Sequence, residues 1–168
     1  IFGIDVHLMK LVNFFKSAAK GYGTEKRVLL LHGPVGSAKS SISRLLKKGL
    51  EHYSKTDEGA LYTYTWVTQE ENPILGDAKV FESPMHEEPL KLIPTEVRAK
   101  FLDELNQNSD GKYKIKIKGN VNPACRFILS EYMLKYDGDW NEVMKHIRVH
   151  RLILSDKDRI GIGTFQPK

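Results

Sequence analysis

Cysteine is almost absent from this chain. Cys125 stands alone among 168 residues, so no internal disulfide can form, and the disulfide-dense scaffolds of small secreted domains are excluded. Cys125 falls inside a helical pattern and reads as a buried apolar residue rather than a nucleophile. Long hydrophobic runs are lacking too. Nothing approaches the roughly 20 apolar residues of a membrane-spanning helix, and no leader pattern opens the chain. The sequence accordingly reads as cytoplasmic, with no membrane partner. Internal repeats and low-complexity tracts are missing, which sets aside solenoids and disordered arrays. The net charge is +5, yet no compact basic patch gathers the lysines and arginines. Nucleic acid is therefore not expected as the principal partner.

What is present suits one globular domain. The composition is ordinary, 40% hydrophobic and 28% charged, and the length supports a real core. The chain opens at Ile1 and closes on GTFQPK without a terminal element, so it reads as a segment of a longer protein.

The pattern alternates helix and strand. IDVHLMKLVNFFKSAAK repeats apolar residues at helical spacing, with Asp5 as a cap and Gly21 and Gly23 as the stop. RVLLLHG is short and apolar and suits a buried parallel strand. A helix is expected from about Lys39 to Tyr53, with Ile42, Leu45, Leu46 and Leu50 on one side. ALYTYTWV is aromatic and β-branched and reads as a strand. Residues 68–94 are broken by five glycines and prolines, among them Gly76, Pro84 and Pro89.

TEVRAKFLDELNQN is helical, with Val97, Phe101, Leu102 and Leu105 on one face. Asp110 and Gly111 mark a turn. KYKIKIKG sets Tyr113, Ile115 and Ile117 against lysines, the pattern of an edge strand. In NPACRFILSEYMLKY, Asn122 is the N-cap and Pro123 the first helical residue. GDWNEVMKHI is a shorter helix and RVHRLILSD a strand. Such alternation places the chain in the α/β class.

One stretch, HGPVGSAKSS, nearly spells a phosphate-binding loop, G-x-x-x-x-G-K-[ST]. Gly33, Lys39 and Ser40 stand where that pattern needs them. Pro34, Val35, Gly36 and Ser37 fill the loop, and Ser41 continues into the helix. An apolar strand pattern precedes the loop and a helix follows it. Backbone N–H groups there can point at phosphates, helped by the helix dipole. Lys39 is expected to meet the terminal phosphates and Ser40 to hold Mg²⁺ through its hydroxyl. Ala38 replaces the last glycine. At negative φ it favours the helix; at positive φ it costs about 1–2 kcal/mol. The helix is expected to begin there, so negative φ is expected.

A second acidic motif is harder to place. Asp103 and Glu104 follow too short an apolar run and lie in a helical pattern. Asp156 follows RLILS, but Lys157 stands where a glutamate belongs. The motif is expected beyond Lys168, so this segment is expected to bind nucleotide without efficient turnover. His86, Glu87 and Glu88 invite a metal reading. Adjacent side chains rarely converge on one ion, and a shaped loop meeting a neighbouring surface is the better reading.

IFGIDVHLMKLVNFFKSAAKG, GPVGSAKSS, SPMHEEPLKLIP and RLILSDKDRIGIGTFQPK, in this order, resemble the AAA domain of the bacterial PrkA-type serine protein kinases. The likeness runs over essentially the whole chain. It implies an AAA-type P-loop core with a mostly parallel sheet flanked by helices, cut off before the helical lid. Residues 1–168 would form the N-terminal part of an ATP-binding domain. It implies ATP and Mg²⁺ as cofactors, a protein substrate, and homo-oligomers through AAA-type contacts. Phe2 and Gly3 would lie near the adenine. Sensor residues and any arginine finger would lie downstream. TQEENPILGDAKVFE looks long beside the family pattern, so an inserted loop or hairpin is expected at about residues 68–83.

Signatures of eukaryotic-type kinases are absent: Leu152 follows His150 and Arg151 where a catalytic Asp belongs, and no D-F-G occurs. Phosphorylation of protein serine or threonine thus follows from the resemblance alone. The alternative is a mechanical AAA-type ATPase serving remodelling or proteolysis. A small-molecule P-loop kinase suits the irregular middle stretch least.

Overall fold

The computed structural model describes residues 4–68, 74–76, 78–108 and 114–163. It divides into two compact units, Ile1–Lys48 and Gly49–Lys168.

The first unit opens with α1 (Asp5–Ala19). Its N-cap is Ile4, without a side-chain cap bond. Asp5 stands one residue inside, where its charge suits the helix dipole. The helix stops as Gly21 N donates to Ala18 O at 2.9 Å, with Gly21 at φ 72°. A 3₁₀ turn, Thr24–Lys26, follows. Then come residues 28–37 and the first turns of α2 (Lys39–Ser54).

The expected strand RVLLLHG is corrected here. Residues 28–34 have no regular structure, and Val28 and Leu30 are 95% and 81% exposed. A strand exists through ladder bonds to a neighbour. Apolar content alone supplies none, and among the described residues no strand pairs with this stretch. The apolar side expected of α2 is open as well, with Leu45, Leu46 and Leu50 all exposed.

The second unit is built on a three-stranded sheet, ordered β2-β1-β3. Its strands are β1 (Leu61–Val67), β2 (Val80–Glu82) and β3 (Ile147–Leu152). Both pairings are antiparallel, which corrects the mostly parallel sheet. Parallel neighbours need a crossover, usually a helix. Between β1 and β2 the chain instead turns back: Ala78 N donates to Leu75 O, and Thr68 N to Lys79 O at 2.9 Å. KYKIKIKG is not a strand in its described part, residues 114–119. The Asn106 side chain takes the place of a neighbour there, accepting from Ile115 N at 2.7 Å and donating to its carbonyl at 2.9 Å. Tyr113 and the Asp110-Gly111 turn lie outside the described residues.

Four helical elements belong to the same unit. A 3₁₀ turn, Pro89–Leu92, leads into α3 (Thr95–Asn108), followed by α4 (Pro123–Lys135) and α5 (Trp140–Met144). α4 starts as its sequence dictates: Asn122 accepts from Cys125 N at 3.1 Å and Pro123 opens the first turn. Asp139 caps α5 by accepting from Asn141 N and Glu142 N. Tyr64, Trp66, Cys125, Ile128, Tyr132 and Val143 form the core. Cys125 is wholly buried in it, as an apolar residue would be. The Tyr132 ring stacks on Trp66 at 5.6 Å and on His146 at 4.3 Å. Two hydrogen bonds orient that imidazole, to the Tyr136 hydroxyl at 2.7 Å and the Val67 carbonyl at 3.1 Å.

Among the described residues no helix is long and apolar enough to cross a membrane.

Candidate functional site

The loop of residues 33–41 lies wholly in the first unit. Its backbone takes left-handed conformations at alternate residues: Gly36 has φ 81° and Ala38 φ 60°. Ser37 N donates to Pro34 O at 3.3 Å, which closes a turn with Gly36 as its third residue, a place that calls for positive φ. Gly36 meets its φ at no steric cost. A Cβ at Gly33 would lie 2.9 Å from Ser37 Oγ, so a larger residue there would have to displace the Ser37 hydroxyl.

Lys39 folds back onto the loop. Its ammonium donates to Gly33 O at 2.6 Å, Pro34 O at 2.7 Å and Ser37 Oγ at 2.9 Å. Ser37 Oγ in turn donates to Pro34 O at 2.7 Å. A flexible cation held only by loop oxygens can exchange those contacts for phosphate oxygens, which bind it more strongly. Ser40 follows in the first turn of α2, its residue exposed to solvent.

Ala38 departs from expectation. It is the residue before the helix, not the first within it: its carbonyl accepts from Ile42 N at 2.9 Å while its own φ is positive. A cap has non-helical dihedrals, and here the turn out of the loop imposes the left-handed ones. Alanine pays about 1–2 kcal/mol for this, strain of the sort that collects at functional loops. Ala38→Gly is therefore expected to raise the melting temperature by about 2–4 °C, the shift of about 1 kcal/mol in a domain of this size, and to raise nucleotide affinity. A lower melting temperature in a thermal scan would show that the left-handed turn carries no strain.

Beside the loop opens a cavity of about 550 Å³. α1 contributes Leu8, Leu11 and Phe14, and the segment before the loop contributes Leu29 and Leu31. Its polar lining is cationic or neutral, with His7, Lys10, His32 and Lys39 and no carboxylate. An apolar body with a few polar groups at one end is the common form of a small-molecule site. Helical spacing marks Leu8 and Leu11 as one apolar face. It does not say that this face walls the cavity, because the opposing wall lies some twenty residues on. Phe2 and Gly3 lie outside the described residues.

The other candidate residues belong to the second unit. Asp103 and Glu104 are exposed on α3. Asp156 sits in a turn after β3, where its N–H donates to Glu51 Oε1 at 2.6 Å. Glu87 is a structural pin. Oε2 accepts from Asn122 N at 2.9 Å and from Nδ2 at 2.6 Å, and Oε1 accepts from Lys91 at 3.2 Å. Burial by itself pushes the Glu87 carboxyl up, but these bonds outweigh it and hold the carboxyl below its usual range. Burial raises Glu88, opposed in part by the Leu90 N–H. The H-E-E stretch thus meets a neighbouring surface, the start of α4. No group of three or more His, Cys, Asp or Glu placed to hold a metal ion occurs among the described residues.

Comparison with known proteins bears on these residues. The family profile described as the PrkA AAA domain matches residues 1–168. A protein of Bacillus subtilis (strain 168) named "ATP-dependent protease PrkA" is 37% identical over 168 residues. The alignment covers 99% of this chain and 22% of that relative, so the chain spans about a fifth of the relative's length. No solved structure gives a significant match.

Proposed function

This chain belongs to the PrkA AAA domain family, and from that premise we propose that it binds ATP with Mg²⁺ at residues 33–41 and couples the nucleotide to work on a protein substrate. The loop that holds the Lys39 ammonium carries the reading. It offers a cation to the phosphates where α2 begins, and a helix start favours negative charge. The apolar cavity beside it offers a wall for the base. Ser40, in the first turn of α2, would supply one hydroxyl to Mg²⁺, an ion that keeps most of its ligands as water and phosphate oxygen. The whole protein would assemble through AAA-type contacts.

The name of the Bacillus subtilis relative favours ATP-dependent proteolysis over the kinase reading that the sequence resemblance put first. ATP turnover would then drive the handling of a polypeptide destined for cleavage. Transfer of the γ-phosphate to a protein serine or threonine is the second reading. Full-length protein incubated with γ-labelled ATP separates them. Label released as phosphate together with cleaved polypeptide supports the first; label retained on a protein hydroxyl supports the second.

Ser40→Ala tests the metal assignment. Loss of one hydroxyl ligand is expected to weaken ATP binding about tenfold with Mg²⁺ present, the equivalent of about 1.4 kcal/mol, and to leave metal-free binding unchanged. Equal losses in both titrations would reduce Ser40 to a residue that shapes the turn.

A further inference from the structure

β3 is an outer strand of the sheet. Val67 N donates to His146 O at 2.8 Å, and the register continues from that pair. Ladder bonds to β1 recur at every second residue, so they fall on Arg148, His150 and Leu152. The N–H and C=O groups of Ile147, Val149 and Arg151 consequently point away from β1. The carbonyl of Ile147 is guarded by Arg148 Nη1 at 3.2 Å. Val149, at mid-edge, is 56% exposed, and no described strand pairs beside it. Outward main-chain groups of this kind are a template for another extended chain.

The side chains say which chain fits. Ile147–Leu152 carries Arg148, His150 and Arg151 and no carboxylate. Arg151 is engaged, by Asp57 at 3.5 Å and by the Ser54 carbonyl. Arg148 gives its guanidinium to the Lys145 and Ile147 carbonyls, which leave its charge uncompensated. As alternate residues, Arg148 and His150 share one face of the sheet. A second copy of β3 would set these basic residues beside their own kind, with no carboxylate between them, an unfavourable cross-strand pairing.

We propose that the free edge of β3 accepts, by strand addition, an extended polypeptide segment with acidic residues at alternate positions. The main chain would bond to Val149, and the carboxylates would face Arg148 and His150. This surface belongs to the second unit and stands independently of the nucleotide reading.

The test uses the full-length protein and a fluorescein-labelled peptide of alternating Glu and Val, read by fluorescence anisotropy. A Lys-Val peptide of the same length is the control. The Glu-Val peptide is expected to bind at least tenfold more tightly than the control, and less tightly as salt rises. Val149→Pro is the diagnostic variant. The Val149 N–H faces outward, so proline there costs no ladder bond to β1, yet removes the donor the added strand needs. It is expected to weaken peptide binding at least tenfold, with circular dichroism and ATP affinity unchanged. Arg148→Glu, an exposed charge reversal, is expected to do the same and decides the matter if the proline variant misfolds. Failure of the Glu-Val peptide to bind, equal binding of the Lys-Val peptide, or unchanged binding by a folded variant would overturn the proposal.

Discussion

Replacing Lys39 with alanine is expected to lower ATP affinity about a hundredfold, a loss of about 2.7 kcal/mol, while the melting temperature stays within about 2 °C. The ammonium makes three contacts, all to oxygens of its own loop. Phosphate oxygens would replace these with charge-assisted bonds, each worth about twice a neutral one. Removal of the cation deletes that gain and leaves the negative charge of the phosphates facing carbonyls and a serine. The fold loses little, because the loop is largely exposed and water can satisfy the freed acceptors. Calorimetric titration of both proteins is the check, and equal affinities would remove Lys39 from the site.

The largest effect on stability is expected from Arg98→Met. Arg98 is 6% exposed in α3. Its guanidinium donates to the carbonyls of Lys91, Ile93 and Gly119 at 2.7–3.0 Å. It thus fastens the 3₁₀ turn after the H-E-E stretch to the segment before α4. Methionine keeps much of the volume and none of the donors. Three partly buried carbonyls would lose charge-assisted bonds of about 1.5–3 kcal/mol each, offset where water enters. A net loss of about 3–4 kcal/mol is expected, and a fall in melting temperature of roughly 6–16 °C. A near-ultraviolet circular dichroism melt within 2 °C of the parent would show that the three carbonyls find other donors.

Arg98 also shows where sequence reading failed. Helical spacing selected Val97, Phe101, Leu102 and Leu105 as one face of α3, and of these only Leu102 is buried. Val97 and Phe101 are 53% and 42% exposed, while Arg98 and Leu102 are buried. Periodicity ranks faces by apolar content. It cannot see a set of backbone carbonyls, brought together from residues 91–119, that a single guanidinium satisfies. The role of Glu87 was hidden for the same reason, since its partner Asn122 lies 35 positions away. Ala38 failed differently. The motif marked a turn ahead of α2, but the sign of one φ depends on how that turn closes on Lys39.

The sequence by itself determined the elements whose signals lie within a few residues of one another. Asn122 and Pro123 start α4, Asp139 starts α5, and Gly21 ends α1, because caps and turns act on adjacent backbone groups. The aromatic and β-branched run of β1 made a strand, and the glycine, lysine and serine spacing marked the loop. Tertiary structure alone decided the pairing. RVLLLHG and KYKIKIKG look no less like strands than β1, yet in their described residues neither joins the sheet. β3 runs antiparallel to β1 although residues 68–146 lie between them. A strand is completed by hydrogen bonds to a partner, and which partner reaches it, and in which direction, is set by contacts distant in sequence.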